Sequence, residues 1–213
     1  EPGWRLKEGR NLYMRHCLHC HGVSGDGNGP TADYLNPRPR DYRLGIFKFT
    51  STLSTNKASH EDLVRTLREG VPGTSMPSFV VILNPEEQGI VADYVRWLAM
   101  RGEFEKKLTS ELAGDFSKKA LADREKNGEK AADVLKELDE KLGKPGSESE
   151  FATTVEDVGG SLASDWKAGD DPASIITPKG PRKPPTPESI ANGSALFMSP
   201  AAKCFSCHGD GGK

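Results

Sequence analysis

Four cysteines and two of the five histidines carry the chemistry of this 213-residue chain. They fall as two copies of one pattern, "CLHCH" at Cys17, Cys20 and His21 and "CFSCH" at Cys204, Cys207 and His208. Two thiols three residues apart on one turn can form thioethers with the two vinyl groups of a haem. The adjacent imidazole is then set beneath the iron as an axial ligand. The cysteines could instead build one four-thiolate zinc site, or each pair a dithiol redox centre. Neither alternative needs a histidine after both pairs, and the pairs lie 187 residues apart rather than at zinc-knuckle spacing. Haem c at two attachment motifs is the expected cofactor. No cysteine is left for a structural disulfide, so the haem chemistry alone suggests an oxidising setting, periplasmic or otherwise extracytoplasmic.

The elements that must position these groups can be read outward from the first motif. Residues 4–16, "WRLKEGRNLYMRH", have helical spacing with Leu6, Leu12 and Tyr13 toward a core. Gly9 in the middle of that helix costs about 1 kcal/mol relative to alanine, which a close helix crossing would offset. "SHEDLVRTLREG" has Ser59 as N-cap, Asp62 three residues on, and Gly70 as a stop. "NPEEQGIVADYVRWLAMRG" opens on Asn84 and Pro85, carries Ile90, Val91, Tyr94, Val95 and Leu98 as a stripe, and is expected to end at Gly102. Between these two helices lies "GVPGTSMPSF", where Met76 is flanked by Pro72 and Pro77. A thioether is a soft ligand suited to the sixth position of a haem iron that already holds one imidazole, and Met76 can supply it. Met14, Met100 and Trp97 are expected in core packing, and His16, His19 and His60 at the surface.

"GRNLY" before "CLHCHG", then "GDGNGP", "GTSMPSF" and "VADYVRWL" together resemble a class I cytochrome c over residues 1–102. The resemblance implies an all-α fold of three main helices around a covalently bound haem. It also implies a crossing of Gly9 and Tyr13 with Tyr94, and a His21 whose second ring nitrogen bonds the carbonyl of Pro30. Arg38, Arg40 and Tyr42, in "NPRPRDY", are implied as partners of the haem propionates.

Residues 103–142 hold 20 charged groups in 40, with Phe104, Leu108, Leu112 and Phe116 at four-residue spacing. This reads as an amphipathic helical arm that breaks near 127–130. Residues 143–185 lack an evident period and are expected to be an irregular linker, with the proline-rich "TPKGPRKPPTP" at 177–187 as its spacer. From residue 186 the chain partly repeats its beginning: Gly193 and Phe197 keep the spacing of Gly9 and Tyr13, then the second motif follows. The expectation is the start of a second cytochrome c domain, incomplete in this chain, which would be the N-terminal portion of a longer di-haem protein.

A net charge of −2, spread as 13 basic and 11 acidic groups over residues 1–102 and 16 against 20 over the rest, argues against a nucleic-acid partner. No run approaches eighteen apolar residues, so no segment of the sequence spans a membrane, although an anchor upstream is compatible. The function expected is one-electron transfer to redox proteins or within a larger respiratory complex. A di-haem peroxidase-like enzyme with an open coordination site is the alternative, and a gas or redox sensor ranks below both.

Overall fold

The computed structural model describes residues 2–144 and 146–210 and is all-helical; the described residues contain no strand beyond one isolated bridge. The chain divides into two compact units, residues 1–176 and 177–213.

In the first unit, α1 (Gly3–His16) runs into the short α2 (Leu18–His21) that bears the first motif. Helix α3 (His60–Glu69) starts on a capping box in which Ser59 and Asp62 exchange backbone bonds, and ends at Gly70 in a positive-φ conformation. Helix α4 (Pro85–Phe116) starts on a second capping box, Asn84 with Glu87. Its buried stripe packs with Leu12, Tyr13, Leu63, Leu67 and Phe79 into one core. Gly9 meets α4 at the crossing: a Cβ there would lie 2.6 Å from the Ile90 carbonyl oxygen and 2.7 Å from Tyr94 Cβ. Tyr13 and Tyr94 pack ring to ring at 5.3 Å beside it. Asp93, buried in the same helix, pairs with Arg5 of α1 at 2.7 Å and with His60 of α3 at 3.0 Å.

Four expectations are corrected. Helix α4 does not stop at Gly102 but continues to Phe116, because strong helix formers follow. Gly102 is needed for a different reason: its Cβ would fall 2.5 Å from Arg43 Cα, where the loop at 43 lies on the helix. Helix α4 then yields at Ser117 to α5 (Lys118–Lys126), and after the turn at Asn127–Gly128 to α6 (Ala131–Leu142). The span 143–185 is not irregular throughout, since α7 (Glu150–Gly169) occupies its middle and buries Leu162 and Trp166. His60 is half-buried and bound to Asp93 and the Gly89 carbonyl. Trp97 sits at the surface, 37% exposed, stacked on Tyr94.

Helix α7 and the residues after it hold the loop that precedes α3. Leu53 N–H donates to the Ser174 carbonyl at 2.9 Å and Ile176 N–H to the Ser51 carbonyl at 2.7 Å. Asp170 accepts from the His60 backbone at 2.8 Å and pairs with Arg96 at 2.5 Å.

The second unit contains α8 (Pro187–Phe197), opened by a Thr186–Ser189 capping box, and α9 (Phe205–His208). Neither helix has a buried residue, and Gly193 has open space where a Cβ would stand.

Candidate haem site

Helix α2 brings the first motif together on a single turn. Cys20 N–H and His21 N–H both donate to the Cys17 carbonyl, at 3.2 and 2.9 Å, and Gly22 closes the turn at a φ of 76°. Both thiols are free, with Cys17 buried and Cys20 half-buried. Burial pushes the Cys17 thiol up to about 12, and the nearby Cys20 adds to the effect. The Cys20 sulfur lies 3.4 Å from the Thr31 hydroxyl, which itself donates to the His19 carbonyl at 2.7 Å.

The His21 ring is buried, and this burial lowers its pKa against the opposing effect of a bond to the Arg40 carbonyl. A neutral imidazole is the form that binds a metal. Nδ1 lies 3.2 Å from that carbonyl oxygen, which fixes one ring nitrogen and leaves Nε2 for coordination. The partner implied by family resemblance, Pro30, is exposed and does not bond His21; the backbone at Arg40 takes that place. Tyr42 is buried and stacks on the imidazole at 4.7 Å and 21°, with its phenol pKa raised well above the ordinary value by desolvation. Arg40 therefore reaches the site through its carbonyl. Arg38 is directed elsewhere, to Asp33 at 2.7 Å and Asn28 at 3.1 Å on the surface.

Met76 is half-buried against the core. Its loop is closed on itself, since Val71 N–H donates to the Met76 carbonyl at 3.0 Å and Met76 N–H donates to the Thr74 hydroxyl at 3.1 Å. Gly70 is required for this approach: a Cβ would meet the Pro77 carbonyl carbon at 2.7 Å.

The second motif repeats the first in backbone detail. Cys207 and His208 N–H donate to the Cys204 carbonyl at 3.3 and 3.0 Å, and Gly209 closes the turn at a φ of 65°. Cys207 and His208 are exposed and Cys204 is half-buried. Phe197 is the ring near His208, at 6.5 Å.

Sequence reasoning missed Phe47, Glu103, Trp166 and Thr52. Phe47 stacks behind Tyr42 at 5.8 Å, and Trp166 meets Phe47 edge-on at 6.3 Å. Thr52 keeps a buried hydroxyl without a protein partner. Nothing in the spacing of Glu103 or Thr52 marks them. Trp166, by contrast, continues a helical series through Phe151, Val155, Val158 and Leu162 that the sequence does display.

The donor set is thus two free thiols, a neutral buried imidazole with one nitrogen free, and a thioether on a braced loop, which fits haem c. Residues 6–99 match the family model for Cytochrome c, so this part of the chain is a cytochrome c domain, and its thiols, imidazole and thioether fit covalent attachment of haem c. No curated protein matches the chain. Among solved structures, a chain of the Kuenenia stuttgartiensis reducing HAO-like protein complex Kustc0457/Kustc0458 is similar, with a TM-score of 0.54 and 21% identity. The match covers 97% of this chain and 63% of that one, so this chain spans less than two thirds of its length. At this identity the likeness concerns the fold.

Proposed function

We propose that the chain is a di-haem electron carrier whose first haem is held by thioethers to Cys17 and Cys20 and ligated by His21 and Met76. When bound, haem c supplies a one-electron iron couple whose potential follows its axial ligands and burial. The chain's residues supply the rest. The Arg40 carbonyl and the Tyr42 ring orient His21, and the 70–79 loop presents Met76. His21 and Met76 would together supply the imidazole and thioether that hold the first haem as a one-electron carrier, and no catalytic residue is assigned to it. The observation that carries this reading is the short α2 turn, which places Cys17, Cys20 and His21 together with the imidazole already braced through Nδ1. The matching turn at α9 supports attachment of a second haem to Cys204 and Cys207 with His208 as its ligand.

The similar chain belongs to a complex of two named components. That setting supports a role for this chain as an electron-transfer subunit that exchanges electrons with other redox proteins in a larger respiratory assembly. Cytochrome c domains are typically extracytoplasmic, and among the described residues no helix is long and apolar enough to cross a membrane. The family tendency supports a location in the periplasm or another extracytoplasmic compartment.

Substituting Met76→Ala in the haem-bearing protein tests the assignment. Loss of low-spin character and a lower potential at one haem are expected, because the thioether that favours the ferrous state is gone. An unchanged spectrum would assign the sixth ligand to another residue. Peroxide turnover by a high-spin ferric haem in the unsubstituted protein would replace the carrier with a peroxidase-like enzyme.

A further inference from the structure

The imidazole of His21 stands at one end of a row of four rings. Tyr42 stacks on it at 4.7 Å, Phe47 stacks on Tyr42 at 5.8 Å with the same 21° interplanar angle, and Trp166 meets Phe47 edge-on at 6.3 Å and 77°. The first three belong to the cytochrome c domain. The fourth comes from α7, well beyond it.

Trp166 is held more firmly than apolar packing requires. It is 1% exposed, its indole N–H donates to Glu103 Oε2 at 2.8 Å, and its carbonyl accepts from Arg96 at 2.7 Å. The guanidinium of Arg96 and the ammonium of Lys57 lie over the ring at 5.3 and 5.7 Å. Glu103 is itself buried and paired with Lys57. The Glu103 carboxylate also fills the space where Gly45 would carry a side chain. The turn that presents Tyr42 and Phe47 is therefore packed on the same carboxylate that fixes the indole. Position and rotation of the Trp166 ring are both determined, and the ring forms the end wall of the row.

We infer that Trp166 is a positioning residue for the haem: anchored by Glu103 and Arg96, it braces Phe47 and Tyr42 and so fixes the orientation of the His21 imidazole. The Nδ1 bond to the Arg40 carbonyl restrains that ring at one edge, and the Tyr42 face restrains its tilt. Outer groups that orient a metal-bound histidine tune the metal. A segment outside the cytochrome c domain thereby acts on its haem. The inference rests on His21 as the axial ligand.

The test uses the full haem-bearing chain with Trp166→Phe, Trp166→Ala and Phe47→Leu. Hyperfine-shifted His21 ring resonances of the ferric protein report imidazole orientation, redox titration reports the potential, and hydrogen exchange reports docking of α7. In Trp166→Ala the His21 resonances and the potential are expected to shift. Trp166→Phe, which keeps an aromatic edge but loses the bond to Glu103, should shift them less. Phe47→Leu should shift the resonances in a chain where α7 stays protected, and it decides the matter if Trp166→Ala fails to fold. Resonances and potential that stay put in Phe47→Leu, or in a folded Trp166→Ala, would show a purely structural tryptophan and overturn the inference. Absence of hyperfine-shifted His21 signals in the unsubstituted protein would remove the ligand assignment itself, and the inference with it.

Discussion

Gly9→Ala is the substitution whose sign the structure decides most directly. Taken as a helix residue alone, Gly9 is a poor choice, and alanine should gain about 1 kcal/mol. The new Cβ, however, would stand 2.6 Å from the Ile90 carbonyl oxygen and 2.7 Å from Tyr94 Cβ. These atoms belong to the α4 backbone or to its first side-chain atom, so rotamer changes cannot relieve the contact. Carbon contacts are comfortable near 3.5–4.0 Å, so α1 and α4 must separate by roughly 1 Å at their crossing. That separation also loosens the Tyr13–Tyr94 pair. Overpacking of this kind costs about 1–3 kcal/mol, and the immobile neighbours place Gly9 toward the upper end. After the helix gain is subtracted, a net loss of about 1–2 kcal/mol is expected, read as a lower urea midpoint and a Tm lower by roughly 2–8 °C. Gly160→Ala is the control: it sits within α7 with open space around the new carbon, and should gain about 0.5–1 kcal/mol. A Gly9→Ala protein as stable as its parent, alongside a stabilised Gly160→Ala, would refute the crossing argument.

Two further outcomes follow from buried groups. Burial alone would raise the Asp62 pKa, but bonds from Ser51 and Ser59 outweigh it and hold the carboxyl below the ordinary value. Because the unfolded chain takes up this proton first, the contribution of Asp62 is complete above about pH 5 and is lost as pH falls through the carboxylate range. Asp62→Asn should therefore cost about 1–3 kcal/mol at pH 7 in urea unfolding, with the gap to the parent narrowing as pH falls below the ordinary carboxylate pKa and through the lowered folded one. In haem-free protein at neutral pH, Cys17, buried and pushed up to about 12, should present on the order of a thousandfold less thiolate than an ordinary cysteine. Exposed Cys207 should then be alkylated well ahead of Cys17, and peptide mapping that finds equal labelling would contradict the burial of Cys17.

Local signals made the haem segment legible. The attachment motif, the two capping boxes and the apolar stripe of α4 are each written within a few residues, and each forms as the sequence implies. The errors arose where a residue's purpose lies across the chain. Gly102 resembles a helix stop, yet it serves the approach of Arg43. The nitrogen bond of His21 goes to a backbone carbonyl, and carbonyls carry no sequence mark, so Arg40 could not be preferred to Pro30. In α7 a readable period was present at Phe151, Val155, Val158, Leu162 and Trp166. The Gly159–Gly160 pair and the many small polar residues between those positions obscured it, because they weaken helix propensity without disturbing the face that packs.

That hidden helix changes what counts as the haem domain. The family match closes at residue 99, before Glu103 and far before Trp166. Yet Lys57, inside the match, is paired with Glu103, and Phe47 and the 51–53 segment are covered by Trp166 and by Ser174 to Ile176. A chain cut at the family boundary would leave the Lys57 ammonium without its carboxylate, the Phe47 edge open, and the Ser51 carbonyl and Leu53 N–H without their bonds. Each loss falls on the loop that carries Tyr42 to His21. The structural boundary therefore lies after Ile176, where the first compact unit ends, and Glu103, Trp166 and Ser174 to Ile176 belong to the support of the loop that carries Tyr42 to His21 rather than to an appendage.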